Sequence, residues 1–103
     1  MLDLGLDCVF VVNDTTANMF GKRGKEGGEF RDPTDIVVDD VGNMMVLDSR
    51  NMRIQVINGE TEYLGCLKVN SPLARPSRFY LDTENKELYI SNKLSKNVLR
   101  CKI

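Results

Sequence analysis

Histidine and tryptophan are absent from this sequence of 103 residues, and only three prolines and three cysteines are present. Without histidine the chain lacks the commonest general base, the usual activator of a nucleophile and a frequent metal ligand. Catalysis is therefore not expected, and no catalytic residue, metal site or cofactor is predicted. The net charge is only −1, so no overall electrostatic field selects a class of partner.

The three cysteines, Cys8, Cys66 and Cys101, lie far apart, and no two of them have the spacing of zinc ligands or of a redox motif. Their odd number and their isolation predict reduced, buried thiols.

Long hydrophobic runs are also missing. The N-terminal stretch MLDLGLDCVFVV contains no basic residue, and Asp3 and Asp7 interrupt its apolar residues. Neither a signal peptide nor a membrane-spanning segment is readable in it. The sequence therefore favours a soluble cytoplasmic protein that has no membrane partner.

What the sequence does contain is a degenerate internal repeat. The segment RDPTDIVVDDVGNMMVLDS is matched later in the chain by ARPSRFYLDTENKELYISN. Pro33 and Pro76 are 43 residues apart, and one extra residue in the later turn puts Asp48 and Asn92 44 residues apart. Self-similarity at this period is typical of propeller blades and related repeat folds.

Short runs of alternating apolar residues predict antiparallel strands throughout, and no stretch shows sustained helical periodicity. We therefore predict an all-β fold built from β-propeller blades of four antiparallel strands. Strands are expected in CVFVV and ANMFG, near residues 35–39, 43–48, 53–57, 62–67, 78–82 and 87–91, and in the final VLRCKI.

Turn residues separate these strands. Asn58-Gly59 predicts a two-residue type I′ hairpin, which requires positive φ at both positions. Gly42 stands where a tight turn favours a residue without a β-carbon, and Asn85 is expected to do the same in the second unit.

The segment FGKRGKEGGEFRDPTDIVVDDVGNMMVLDSRNMRIQVI, residues 20–57, resembles the NHL repeat, a β-propeller blade. The features that carry the resemblance are FG before a Gly-rich loop, then xFxxPxxIxVD, GN, xVxDSxN and RIQV. The resemblance is weaker over residues 76–103 and weakest over the first 19. It implies that Asp48, Asn51 and Arg53 are structural residues that tie one blade to the next.

The second unit departs from this pattern. Ser95, and Lys96 or Asn97, stand at the positions of Asn51 and Arg53. An arginine also replaces the small residue expected before the first strand of this unit. The resemblance therefore does not predict the usual contacts between blades there.

The strands add up to about two and a quarter blades, whereas closed propellers use about four to eight. Residues 1–30 would be the end of one blade with its connecting loop, 31–69 a complete blade, and 70–103 most of the next blade. Each blade buries its faces against its neighbours. We therefore expect this chain to be a piece of a longer propeller, with the remaining blades supplied by a longer parent chain or by self-association.

Two motifs have weak chemical interpretations. The stretch GKRGKEGG is Gly-rich and basic, but it matches neither phosphate-binding glycine motif and lies between strands, which favours a loop between blades. Asp39 and Asp40 are adjacent carboxylates, but neighbouring strand residues point to opposite faces. Capping of a turn is the favoured interpretation for them.

The distribution of charge is more informative than its sum. The loops that enter first strands and that join second to third strands should share one rim, with ten basic residues against five acidic ones. The opposite rim should hold eight acidic residues against one lysine. The basic rim would contain Lys22, Arg23, Lys25, Arg31, Arg50, Arg53, Arg75, Arg78, Lys93 and Lys96, and the acidic rim Asp14, Asp39, Asp40, Glu60, Glu62, Asp82, Glu84 and Glu87. The alternative is that turns are simply rich in charge.

The resemblance implies a function. NHL propellers include the C-terminal modules of RING-bearing tripartite-motif proteins, some of which bind RNA while other domains act as ubiquitin ligases. No RING, B-box or coiled-coil pattern is present in this sequence. The leading hypothesis is a non-catalytic binding scaffold whose basic rim, without Arg53, binds RNA or an acidic protein.

Two alternatives remain open. Peptide-amidating lyases and related metal-dependent hydrolases have similar blades, and a purely protein-binding scaffold is also compatible with the sequence. The enzyme alternative would require histidines and carboxylates from other blades.

Overall fold

The computed structural model describes residues 2–4, 7–12, 15, 17–69 and 72–103, with the side chains of residues 2–4 left undescribed. This part of the chain is all-β, as predicted, and its only helical turn is a 3₁₀ turn at Ser49–Asn51. No helix in the described ranges is long and apolar enough to cross a membrane. The strands are β1 (Leu2–Leu4), β2 (Val9–Val12), β3 (Ala17–Phe20), β4 (Pro33–Val38), β5 (Met44–Asp48), β6 (Arg53–Ile57), β7 (Tyr63–Cys66), β8 (Pro76–Asp82), β9 (Glu87–Asn92) and β10 (Asn97–Lys102).

The strands form three antiparallel sheets in chain order. Sheet I contains β1 to β3, sheet II contains β4 to β7, and sheet III contains β8 to β10. Every predicted strand is present, although β4 and β8 begin earlier than expected, at the two prolines. Strand β1 is an addition that the apolar pattern did not indicate, and it pairs with β2.

The internal repeat is visible in the backbone. The register shifts between Pro33 and Asp35 in β4, and it shifts between Pro76 and Arg78 in β8. Three left-handed positions also recur at matching places in the two units, as pairs of residues with positive φ. The pairs are Asp32 with Arg75, Gly42 with Lys86, and Met52 with Lys96. The left-handed position in the later turn is thus Lys86, not Asn85, because that turn has the extra residue.

The hairpin between β6 and β7 is not the predicted two-residue type I′ turn, since neither Asn58 nor Gly59 has positive φ. The left-handed residue is Thr61, with φ of 63°. Its N–H donates to the Asn58 carbonyl at 3.0 Å. The Asn58 side-chain oxygen accepts the N–H groups of Glu60 and Glu62, which stabilises a three-residue loop of the bulged kind instead.

Sheet II is packed on both faces, because every residue of β5 is buried. Met44 and Val46 face a cluster shared with sheet I, whereas Met45 and Leu47 face a cluster shared with sheet III. Burial of each such side chain stabilises the fold by about 1.5–3 kcal/mol. Three sheets stacked face to face in this way are a blade-like arrangement.

Polar contacts also connect sheets II and III where β4 lies beside β8. The Asp35 carboxylate accepts the N–H of Phe79 at 3.0 Å. The hydroxyl of Ser49, itself buried, donates to the carbonyl of Pro76 and lies 2.5 Å from the Thr34 hydroxyl. These contacts fix the lateral position of the two strands.

Candidate functional site

The centre of the site is Asp48, whose side chain is fully buried at the end of β5. One carboxylate oxygen accepts the N–H of Arg31 at 2.7 Å. The other oxygen accepts hydrogen bonds from the side chains of Asn51 at 2.9 Å, Arg53 at 3.0 Å and Gln55 at 3.0 Å. A buried carboxylate would be destabilising alone, but here four donors surround it.

The partners of Asp48 hold the loop that connects sheet I to sheet II. Arg53 donates to the carbonyls of Lys25, Glu26 and Glu29 at 2.8 Å each. Asn51 donates to the Gly24 carbonyl at 2.8 Å. A charged donor that satisfies several carbonyls at once gives a strong and directional anchor.

Gln55 completes this network, although no role was predicted for it. Its side chain accepts the N–H of Gly28 at 2.8 Å and donates to the carbonyl of Glu29 at 2.6 Å. The available sequence signal was a glutamine between the apolar residues Ile54 and Val56, and in the structure this glutamine is fully buried. Asp48, Asn51 and Arg53, which the resemblance marks as structural, thus bind backbone groups of the connecting loop.

The equivalent position in sheet III is smaller and uncharged. Asn92 accepts the N–H of Ala74 at 3.0 Å and lies 3.2 Å from the Asn97 side chain, which Ser95 also contacts. Asn97, rather than Lys96, therefore takes the place of Arg53. It cannot reach across a loop as an arginine does.

The Gly-rich stretch at residues 21–28 is an ordered part of this site. The N–H of Phe30 donates to the Lys22 carbonyl at 2.8 Å, and the N–H of Gly24 donates to the Phe30 carbonyl at 3.1 Å. The loop carbonyls point at Arg53, whereas a phosphate cradle needs converging N–H groups. The arrangement favours the predicted connecting loop.

Within each unit, the two loops assigned to the basic rim lie side by side. The N–H of Arg50 donates to the Arg31 carbonyl at 3.0 Å, and the N–H of Lys93 donates to the Arg75 carbonyl at 3.0 Å. Arg31 and Arg75 are half-buried. The exposed cations of these loops are Lys22, Arg23, Lys25, Arg50, Lys93 and Lys96.

Most carboxylates of this rim already form ion pairs or hydrogen bonds within the chain. Asp32 lies 3.6 Å from Arg50, and Glu29 lies 3.6 Å from Lys22. Asp35 and Asp48 accept hydrogen bonds within the fold. Among the described residues, no carboxylate lies within ion-pair distance of Arg23, Lys25, Arg31, Arg75, Lys93 or Lys96.

Arg78 is the exception among the predicted rim residues. It lies within β8 and pairs with Ser91, so it belongs to a sheet rather than to a loop. It borders a shallow depression with Tyr80 and Tyr89 on the face of sheet III that points away from sheet II. The loops themselves present no exposed aromatic ring in the described ranges, because Phe30 is fully buried.

The opposite ends of the strands carry the acidic residues. Asp39 caps its turn as expected, since one carboxylate oxygen accepts the N–H groups of Val41 and Asn43 at 3.0 and 2.8 Å. Hydrogen bonds from the side chain and backbone of Asn85 hold the pKa of Asp82 below its ordinary value. Asp14 lies outside the described residues.

The cysteines are only partly as predicted. Cys101 is buried as expected, but Cys8 is half-buried and Cys66 is exposed. Cys66 lies on the short edge strand β7, where its thiol is 3.5 Å from the Tyr63 hydroxyl. This hydrogen bond raises the pKa of Tyr63. No group of residues in the described ranges has the composition and geometry of a metal site.

The chain matches no protein-family model. It also has no match among curated proteins.

Proposed function

We propose that this chain is part of an NHL-type β-propeller and acts as a non-catalytic scaffold that binds RNA through its basic rim. The proposed contacts are Lys22, Arg23, Lys25, Arg31, Arg50, Arg75, Lys93 and Lys96, with Arg78 beside them on β8. A role alongside a RING-type ubiquitin ligase would come from other domains of a longer protein.

The observation that supports this proposal is a difference between the acidic and the basic residues of the rim. Carboxylates of the rim, Asp35 and Asp48 above all, are engaged inside the fold. Exposed cations such as Lys25, Lys93 and Lys96 have no acidic partner among the described residues. Cations held on one side of a rigid frame attract a phosphate backbone irrespective of its sequence.

The RNA-binding proposal is also supported by the hydrogen bonds that hold the rim loops in place. The hydrogen bonds between Arg50 and Arg31, and between Lys93 and Arg75, keep neighbouring loops side by side. A preordered surface loses less conformational entropy on binding. The absence of exposed aromatic rings from the described loops favours backbone contacts over base stacking.

The test is the salt dependence of binding to a labelled single-stranded RNA, measured by fluorescence anisotropy on the full chain. Log affinity should fall with log salt by about 0.7 for each phosphate that is neutralised. A Lys93→Glu, Lys96→Glu double variant should flatten this slope by about 1.4 if each lysine meets one phosphate.

The control is a Lys86→Glu, Lys102→Glu double variant, which changes the net charge equally but at the opposite ends of the strands. It should leave the slope unchanged. Equal effects of the two double variants would refute a specific rim. Binding of polyglutamate in place of RNA at low salt would instead show that the partner is an acidic protein.

A further inference from the structure

A cavity of about 260 Å³ lies between sheets II and III at the acidic ends of their strands. Its walls are the apolar side chains of Met45, Val56, Leu67 and Leu81, at the margin of the cluster that joins the two sheets. An apolar cavity of about 150 Å³ is known to hold a benzene ring. This one therefore has room for an aliphatic or aromatic side chain.

Apart from Ile103, the mouth of the cavity is polar. It is formed by Asp39, Asp40, Thr83, Lys86 and Ile103. Two hydrogen-bonded turns therefore meet at the opening, one from each sheet. A pocket with an apolar floor and a few charged groups at its edge has the usual form of a recognition site.

Both sides of the mouth are held in place. The side chain of Asp39 fixes its own turn through the N–H groups of Val41 and Asn43. On the other side, the N–H of Ile103 donates to the Lys86 carbonyl at 2.9 Å. The opening is thus formed before any ligand arrives.

The charges at the mouth favour a cation. Lys86 lies 3.5 Å from Asp40, and the side chains of both residues are 61% exposed. Ion pairs between such exposed groups are weak, so a ligand cation can replace Lys86. Asp39 lies beside Asp40, and the neighbouring turns add Glu60, Glu62, Asp82 and Glu84 to the surrounding field.

We propose that this cavity binds a peptide segment of a protein partner, in which an apolar side chain fills the cavity and an adjacent lysine or arginine contacts Asp39 and Asp40. The site is at the opposite end of the strands from the basic rim. It is therefore independent of the RNA-binding proposal. The scaffold could hold an anionic partner and a cationic one at the same time.

The test uses the full chain with ¹³C-labelled methyl groups and an acetylated pentapeptide that has phenylalanine at its centre and two lysines on each side. Methyl resonances of Val56, Leu81 and Ile103 should shift and saturate as peptide is added. A peptide with serine at the centre, and one with glutamates in place of the lysines, should bind at least about tenfold more weakly.

Two variants locate the site. Val56→Phe fills the cavity and should abolish the saturable shifts, while Asp40→Lys, an exposed change that leaves the core intact, should weaken binding at least about threefold. The matched control is Glu60→Lys, on the same rim but away from the lining, which should have a smaller effect. Equal binding of the serine peptide, or equal effects of Asp40→Lys and Glu60→Lys, would overturn the proposal.

Discussion

At the scale of single residues, Asp48 is the group on which the contact between the connecting loop and sheet II depends. One of its oxygens accepts hydrogen bonds from the side chains of Asn51, Arg53 and Gln55. In Asp48→Asn an amide can supply only one acceptor atom, so an N–H group must face other donors. Removing one partner of a buried charged pair costs about 3–5 kcal/mol, and we expect a loss of that size in urea unfolding.

The control for this prediction is Asp40→Asn, which makes the same chemical change at an exposed carboxylate. It should change the free energy of unfolding by less than about 0.5 kcal/mol. A loss below about 1 kcal/mol in Asp48→Asn would mean that the hydrogen-bond network rearranges around the amide.

At the scale of elements, two glycines with nearly the same backbone angle test how closely the connecting loop packs. Gly21 has φ of 92° and Gly42 has φ of 89°. A β-carbon at Gly21 would lie 2.4 Å from the buried ring of Phe30, whereas one at Gly42 would meet nothing within 4 Å. Both alanine variants incur backbone strain of about 1–2 kcal/mol, but only one also overpacks the core.

We therefore expect Gly21→Ala to destabilise the chain by about 1–3 kcal/mol more than Gly42→Ala does. Thermal or urea unfolding of the pair measures the difference directly, because the backbone term cancels. Equal losses would indicate that the Phe30 ring moves aside at no cost.

At this scale, the strand positions were predictable from the sequence, whereas one of the turn conformations was not. Strand positions followed from the alternation of apolar residues, because the side-chain period of a strand is fixed by its geometry, but the earlier starts at Pro33 and Pro76 were not predicted. The prediction of a type I′ turn at Asn58 was wrong. The Asn58 side chain accepts hydrogen bonds from two backbone N–H groups, and such bonds favour a different loop conformation that the Asn-Gly pair alone does not indicate.

The candidate site was predictable to a similar degree. Asp48 and Arg53 stood out as polar residues between apolar strands, and both are in the network. Gln55 was missed because a polar residue between apolar neighbours does not indicate its partners, and its two partners in the loop lie 26 and 27 residues away. The exposure of Cys66 was missed because sequence alone does not show that β7 is an edge strand.

At the scale of the whole molecule, two outer surfaces determine how the chain behaves in solution. The faces of sheets I and III that point away from sheet II expose Met19 at 66%, Tyr80 at 68% and Val98 at 65%. Strand β7 is also an edge strand of sheet II, and an open sheet edge can pair with other chains. We therefore expect the isolated chain to self-associate in a concentration-dependent way.

Sedimentation velocity over a range of concentrations tests this expectation. A Tyr80→Lys, Val98→Lys double variant, which places charge on the outer face of sheet III, should shift the distribution toward the monomer. A monomer at all concentrations that also unfolds in one calorimetric transition would contradict the expectation.

The burial of β5 on both faces has a consequence for how this strand can vary. Its successive residues belong alternately to two separate interfaces, Met45 to one and Val46 to the other. A point mutation in β5 therefore perturbs one interface and leaves the other in place. A one-codon insertion at the same point reverses the alternation for the residues beyond it, so both interfaces lose their matching side chains together.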